Sequence, residues 1–219
     1  MTIARKKARP GARRTARIAL SRERIVDAAL ALVEGQGFAA LSTRRLGESL
    51  GCEAMSIYHH FPSKQHLLDG MVDRVVEGFV LPPPGPSPVE RVRRTCLAYR
   101  DLAHRHPRFF PYVAVHRLNT PSGVRFVDGV LGVVQALVPD RELAARYFRV
   151  LGYYLVGGAL DETSGYAAGP SAAEPVSDAY VVAHCPHLAA AAPWFRAAQW
   201  DATFALGLDA LLAQMQRHA

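Results

Sequence analysis

The 219-residue sequence is poor in cysteine, which excludes a disulfide-stabilised fold. Its three cysteines, Cys52, Cys96 and Cys185, lie far apart, and none belongs to a Cys-x-x-Cys pair. An odd number of widely separated thiols is typical of a reducing compartment. The HCPH stretch at 184–187 contains soft ligands but lacks the paired spacing of a zinc site. We therefore expect neither a disulfide framework nor a bound metal.

Long apolar runs are also missing. The nearest candidate, residues 179–195, is interrupted by Pro186 and Pro193, whereas a bilayer-spanning helix needs about 20 apolar residues. A signal peptide is not supported either, because only residues 18–20 are apolar after the basic N-terminal stretch, where about 7 to 15 apolar residues are needed. The sequence predicts a cytoplasmic protein without membrane contact.

Two common catalytic signatures are absent. The chain has no Gly-x-x-x-x-Gly-Lys-Ser/Thr phosphate loop and no His-Glu-x-x-His zinc motif. The GQGFAA string at 35–40 imitates a dinucleotide-binding loop, but it follows a predicted helix rather than a strand. We therefore expect no cofactor, and a helical enzyme is the weaker alternative.

The formal net charge of +7 is concentrated at the N-terminus. Residues 1–20 contain seven of the 26 basic residues and no acid, and taking these seven away leaves 19 basic against 19 acidic residues. A basic arm on a neutral body favours a polyanionic partner such as nucleic acid. A disordered solubilising tail has the same composition, so both interpretations stay open at this point.

Helical periodicity dominates the rest of the chain, without alternating runs separated by hairpin turns. The sequence therefore predicts an all-α fold. Ser21 can cap a first helix, which Gly35 and Gly37 then end. Further helices are predicted at about 43–50, 54–60, 64–80, 88–104, 107–117, 122–138, 140–164 and 196–217, with a short one near 179–192.

Two of these helices have the spacing of a helix-turn-helix unit. A short helix that opens at Thr43 is stopped by Gly51, and another helix begins three residues later. In such units the later helix enters the major groove of DNA. Leu46 and Ile57 would pack against the first helix, which leaves the opposite side of the later helix free. The residues on that side are Ala54, Met55, Ser56, Tyr58, His59 and His60.

Five prolines at 82–88 divide the chain, because proline cannot continue a helix. The predicted organisation is a basic disordered arm at 1–20, a helix-turn-helix domain at 21–66, a connecting helix at 67–81 and a second helical domain at 82–219. A single helix-turn-helix domain contacts too few bases to specify one site in a genome. We therefore expect a homodimer on palindromic double-stranded DNA, held together by the second domain.

Several short strings near the N-terminus carry a family resemblance. They are IVDAA at 25–29, LSTRRL at 41–46, LG at 50–51, SIYHHF at 56–61 and the lysine at 64. In order and spacing they resemble the TetR family of bacterial transcriptional regulators. This resemblance implies that the protein is a ligand-responsive regulator and that it acts as a repressor. Gly47 departs from the pattern. Either it costs the helix about 1 kcal/mol relative to alanine, or two backbones pack closely there.

The resemblance implies roles for the matching residues. Phosphates would be held by Thr43 and Arg44 at the start of the second helix, by Tyr58 and His60, and by Lys64 at the start of the fourth. Base edges would be met by the leading end of the third helix. The candidates for these contacts are Ala54, Met55 and Ser56.

Two later strings, HRLNTP at 116–121 and GGALD at 157–161, are similar to the tetracycline-repressor branch of that family. In that branch the matching histidine and acid help to hold a magnesium–drug chelate, which nominates His116 and Asp161 as effector contacts. Tyr112 and Tyr153 are added as hydroxyl-bearing aromatics of a predicted small-molecule cavity. The branch has a drug-contacting histidine where this chain has Val80, so tetracycline is not the expected effector.

The helices near 140–164 and 196–217 are implied, by the same resemblance, to pair with their symmetry mates in a four-helix interface. Their apolar stripes, which include Tyr147, Leu151, Phe204 and Leu208, fit either that interface or an internal core. An architectural DNA-binding protein without an effector is the other alternative, but it leaves the residues after the connector unexplained.

Overall fold

A computed structural model describes residues 19–164 and 172–219, and within these ranges the chain is helical and has no strand. The predicted all-α fold is therefore confirmed. The predicted basic arm lies outside the described residues except for its last two positions. Residues 165–171 of the predicted loop after the eighth helix also lie outside them.

The described N-terminal part contains four helices, and three of them begin after a capping serine. The hydroxyl oxygens of Ser21, Ser42 and Ser63 each accept a hydrogen bond from the backbone N–H three residues on, at 3.3 Å. Gly51 ends the second helix with φ of 65°, a left-handed conformation that favours glycine. The helices are α1 (Arg22–Gln36), α2 (Thr43–Leu50), α3 (Ala54–His60) and α4 (Lys64–Glu77).

Seven helices follow the proline-rich connector within the described residues. They are α5 (Pro88–Arg105), α6 (Phe110–Val115), α7 (Pro121–Leu137), α8 (Arg141–Ser164), α9 (Asp178–His184), α10 (Pro186–Ala191) and α11 (Trp200–Gln216). Short 3-10 turns occupy Phe38–Ala40, Ala192–Phe195 and Ala197–Gln199. Taken singly, no described helix is long and apolar enough to cross a membrane; α7 and α8 meet that criterion only together, and they are bent by 118° at the break between them.

The observed limits differ from the predicted ones for several helices: α6 and α11, for example, begin at Phe110 and Trp200 rather than near 107 and 196. α4 ends at Glu77 rather than near Val80, because Gly78 is a poor helix former and the Phe79 ring turns inward to pack edge-on against Phe126, with 5.0 Å between ring centroids. The single helix expected near 179–192 is two helices. Pro186 has no N–H to continue the first of them, so it begins the second.

The core has two parts. The first joins α1 to α4 with the start of α6, so the helix-turn-helix unit is packed directly on the second domain. The second lies between α5, α7, α8 and α11 and contains Tyr147, Leu151, Phe204 and Leu208. These apolar stripes, which the sequence left open as interface or core, are thus core within one chain.

Candidate functional site

α3 stands with one side in the core and the other in solvent. Ile57 and Phe61 are 1% and 2% exposed, whereas Met55 and Tyr58 are 63% and 42% exposed. The buried side fixes the helix against α1 and α4. Its polar and aromatic side is uncovered by any other part of the described chain, so it is free to enter a groove of DNA.

The starts of α2 and α4 open into one cleft beside α3. The cleft has a volume of about 240 Å³ and is lined, among others, by Thr43, Tyr58 and Lys64, three of the predicted phosphate contacts. Free backbone N–H groups and the helix dipole at such starts favour an anion. The Lys64 ammonium lies 5.8 Å from the Phe38 ring centroid. The structure thus brings a hydroxyl, a phenol and an ammonium group to one cleft.

Arg44 lies apart from that cleft. It faces a shallow groove next to Ala54, and its Nε is 3.1 Å from Glu48 Oε1 one turn along α2. Both side chains are exposed, so the pair is weak. The guanidinium can exchange the carboxylate for a phosphate. Ser56 and His60 are half-buried on α3, and the His60 carbonyl accepts a hydrogen bond from Arg22.

An exposed carboxylate at the leading end of α3 was not among the predicted contacts. Glu53 is the residue just before this helix, and its side chain makes no capping hydrogen bond. Residues 54–60, from which the predicted contacts come, contain no acid, and Glu53 lies one position before them. The available signal was the position of Glu53 directly before the helix.

The sequence also contains a Gly-x-Ser-x-Gly pattern at residues 47–51. It matches the spacing of a hydrolase nucleophile turn, in which the serine stands between a strand and a helix. Here Ser49 lies inside α2, and its hydroxyl donates to the Leu46 carbonyl at 2.8 Å. The pattern therefore belongs to an ordinary helix end and has no catalytic geometry.

An internal cavity of about 290 Å³ lies in the second domain, between α5, α7 and α8 and next to the ends of α4 and α6. Its wall is mostly aliphatic and aromatic. Burial raises the pKa of the Cys96 thiol to about 12, and likewise that of the Tyr99 phenol to about 12, so both stay neutral. The wall residues with polar side-chain groups are Thr95, Cys96, Tyr99, His116 and Arg149.

His116, one of the predicted effector contacts, borders this cavity. Its Nε2 lies 3.1 Å from Asp69 Oδ1 on α4, and its buried Nδ1 has no hydrogen-bond partner among the residues that the structure describes. Asp69 also accepts from the Gln65 amide at 2.7 Å. The cavity wall is therefore joined to α4 through this hydrogen bond.

The other three predicted effector residues lie outside the cavity wall. Tyr112 packs between the two domains, with its ring 5.4 Å from that of Phe38 and its hydroxyl 3.2 Å from Gln65 Nε2. Tyr153 is 67% exposed, and Asp161 is exposed one helix face away from the buried side of α8. Helical periodicity explains this, because Tyr153 and Asp161 each come two positions after a buried residue, Leu151 and Ala159, and so point about 200° away from it around the helix.

Two further acidic residues on α4 accept hydrogen bonds from residues near the same turn. Asp73 accepts from the Thr120 hydroxyl, and Glu77 accepts from the Ser122 hydroxyl at 2.6 Å. With Asp69 they repeat every four residues, so all three acids face the turn between α6 and α7. Their sequence spacing was the available signal, but nothing in the sequence alone indicated which element they would face.

Two family models match this chain. Residues 25–71 match bacterial regulatory proteins of the tetR family, and residues 81–218 match the tetracyclin repressor-like C-terminal domain. The HTH-type transcriptional repressor DrrR1 of Streptomyces coeruleorubidus is 30% identical over 149 residues, or 64% of this chain and 53% of that protein. Tetracycline repressor class D of Escherichia coli is 32% identical over 131 residues, or 52% and 60%. The matches thus span about half to three fifths of these relatives.

A solved structure extends the comparison over nearly the whole fold. The crystal structure of a possible TetR family transcriptional regulator from Streptomyces coelicolor A3(2) is 29% identical, has a TM-score of 0.75, and covers 90% of this chain and 99% of that one. The helix-turn-helix unit, the cavity domain and the two matching models agree. The chain belongs to the TetR family of DNA-binding transcriptional regulators, which are not enzymes.

Proposed function

We propose that this protein is a repressor that binds a palindromic operator as a homodimer and is released by a small-molecule effector held in the cavity beside His116. The relative DrrR1 is named a transcriptional repressor, which supports repression. The exposed side of α3 and the cleft at Thr43 and Lys64 support DNA binding. The DNA contacts proposed here keep the whole predicted set: Thr43, Arg44, Ala54, Met55, Ser56, Tyr58, His60 and Lys64.

The hydrogen bond between His116 and Asp69 is the observation that carries the effector role. It links the cavity wall to α4, the helix that begins at Lys64 in the phosphate cleft. An effector that displaces His116 would shift α4 and, with it, α3. In a dimer the two reading helices must meet grooves about 34 to 36 Å apart, so a small shift weakens binding. The effector must prefer the released conformation for this to happen.

A second contact transmits the same movement. The Glu34 carboxylate at the end of α1 accepts from the backbone N–H groups of Arg108 and Phe109 at 3.0 and 3.1 Å, which caps the start of α6. The helix-turn-helix unit is thus connected to α6 through both α1 and α4. A movement of α6 would therefore turn the helix-turn-helix unit.

Base reading is proposed to include Glu53 beside Ala54, Met55 and Ser56. A carboxylate in the major groove accepts from the amino group of cytosine, whereas a methyl-bearing side chain contacts thymine. Glu53 is exposed at the end of α3 that leads into the groove. We therefore expect a cytosine or adenine amino group opposite this residue in the operator.

The dimer contact is proposed to form on the outer faces of α8 and α11. These faces expose Val150 and Tyr153 on α8 and Leu206 on α11, with Leu206 75% exposed. Ala202, Ala210 and Ala213 continue the α11 face at helical spacing and are exposed as well. Exposed apolar side chains of this kind are typical of a protein interface, and two-fold symmetry would align four helices there.

Selection of bound fragments from a random DNA pool at fixed salt tests this function. The expected product is a two-fold repeated half-site with centres one helical turn apart. The affinity for an unrelated DNA sequence should then be lower by a factor of at least about 1,000. Nearly equal affinity for random DNA would instead favour the architectural alternative, and a single unrepeated site would contradict the homodimer.

A further inference from the structure

We propose that Arg22, the first residue of α1, is a positioning residue for DNA recognition, which holds the carboxyl end of α3 in the orientation that reads the operator. This inference rests on base reading by α3 as proposed above, and it adds a residue from outside α2 and α3. It follows from the hydrogen bonding at the end of α3, from the contacts of the Arg22 guanidinium and from how little of α3 is buried.

The chain after α3 cannot continue the hydrogen-bond pattern of this helix. The Phe61 N–H donates to the Ile57 carbonyl at 2.9 Å and closes the last turn. The next residue, Pro62, has no N–H, so the backbone has no donor for the Tyr58 carbonyl at that position. A helix of seven residues also has little stability by itself. A donor from another element can therefore stabilise this end.

Arg22 provides such a donor. Its Nη1 donates a hydrogen bond to the carbonyl of His60, the last residue of α3. Its guanidinium carbon Cζ lies 4.2 Å from the centroid of the Phe61 ring, a distance at which a cation is attracted to an aromatic face. A positive charge at this end of a helix also interacts favourably with the helix dipole. One side chain of α1 thus contacts both the last residue of α3 and the residue after it.

The Phe61 ring is in turn held by α4. It is buried, and a Cβ added to Gly70 of α4 would lie 3.0 Å from its Cε1 atom. The ring therefore has no free space next to Gly70. The Arg22 guanidinium thus lies on a ring that α4 already keeps in place, so the contact can fix the end of α3 relative to α1 and α4.

α3 has few other anchors. Ile57 is the one buried residue among its seven, and Met55 and Tyr58 face solvent. A helix held mainly at one point can tilt, and tilting displaces the base-reading residues at its leading end. Hydrogen bonds to base edges need distances of about 2.7 to 3.2 Å, whereas phosphate contacts carry no sequence information. Loss of the Arg22 contact should therefore weaken the operator complex more than the complex with random DNA.

The Arg22→Met variant tests this role, with binding to the selected operator and to random DNA followed by fluorescence anisotropy. Methionine keeps a long side chain but has neither the charge nor the N–H donors. We expect the operator affinity to fall about threefold to tenfold, as for the loss of one hydrogen bond, and the affinity for random DNA and the salt slope to stay the same. Equal losses on both DNAs, with a slope smaller by about 0.9, would make Arg22 a phosphate contact and overturn the positioning role.

Two further variants are matched to this one. Arg22→Lys keeps the charge and an N–H donor but not the planar group that lies on Phe61, so it should recover part of the lost discrimination. Arg24→Met removes the same charge from the same turn of α1. Because the Arg24 guanidinium donates to the Ala19 carbonyl at 2.6 Å, this variant should discriminate as the wild type does. An equal loss of discrimination in Arg24→Met would overturn the assignment to Arg22.

Amide hydrogen exchange in the DNA-free protein tests the contact directly. The Phe61 N–H should exchange about threefold to tenfold faster in Arg22→Met than in the wild type, because the last turn of α3 opens more easily. The Leu46 N–H of α2, which donates to the Ser42 carbonyl at 3.0 Å, should keep its rate. An unchanged rate at Phe61, or equally faster exchange at both amides, would overturn the positioning role.

The wild-type affinities separate this inference from the proposed function. A wild-type protein that binds operator and random DNA equally well contradicts the proposed function. A wild-type protein that discriminates between them, together with an Arg22→Met variant that discriminates to the same extent, overturns only the role of Arg22.

Discussion

Gly47 lies so close to Cys52 that a Cβ at position 47 would be 2.7 Å from the Cys52 carbonyl oxygen. The Cys52 N–H also donates to the Gly47 carbonyl at 3.0 Å. α2 and the turn before α3 therefore meet backbone to backbone. Of the two explanations that the sequence left open for this glycine, close packing is the one the structure supports.

Gly47→Ala should weaken operator binding by about tenfold. Alanine favours a helix by about 1 kcal/mol over glycine, but the new methyl group must push the turn away, and α3 moves with the turn. Anisotropy with the selected operator and thermal unfolding would be measured together. Gly35→Ala is the control, because Gly35 lies in α1 with no atom near an added Cβ. A Gly47→Ala protein that is more stable and binds normally would contradict the packing argument.

Arg44→Ala should lower the affinity for operator and for random DNA by the same factor. A phosphate contact carries no sequence information, and the loss of one reduces the slope of log affinity against log salt by about 0.9. Glu48→Gln should have the opposite effect, because it frees the guanidinium that Glu48 now holds. Arg105→Ala removes a similar exposed pair with Asp101 and should change neither slope nor affinity. An unchanged slope in Arg44→Ala would rule out the contact.

The helix limits of the helix-turn-helix unit could be predicted from the sequence, because they depend on residues that are neighbours along the chain. Ser42 caps α2 and Gly51 ends it in a conformation that few other residues adopt. The reason for Gly47 could not be predicted, since it depends on how closely the turn approaches α2. The different positions of Tyr99 in the cavity wall and Tyr153 on the outer surface could not be predicted either. Helical periodicity alone does not distinguish an aromatic residue that lines a cavity from one that faces outward.

His106→Gln should make the protein less sensitive to mild acid. Burial lowers the pKa of His106 below its usual 6.5, with a smaller opposite effect from Glu34 and a further lowering by Arg105. The unfolded chain therefore takes up this proton more readily, so stability is lost as the pH falls below about 6.5. Urea unfolding at pH 7.5 and 5.5 would give a smaller difference in the variant. An equal difference in both proteins would show that His106 does not contribute.

Leu206→Arg should convert the protein to monomers. Leu206 is exposed on the outer face of α11, where the proposed two-fold contact would bury it against its own mate, and two guanidinium groups there would repel. Val124→Arg is the control, because Val124 is a half-exposed apolar residue on α7, away from this face. Sedimentation would give the mass of each variant. Affinity for the palindrome should fall with dimerisation while the affinity for one half-site stays the same, and a Leu206→Arg protein that remains dimeric would place the interface elsewhere.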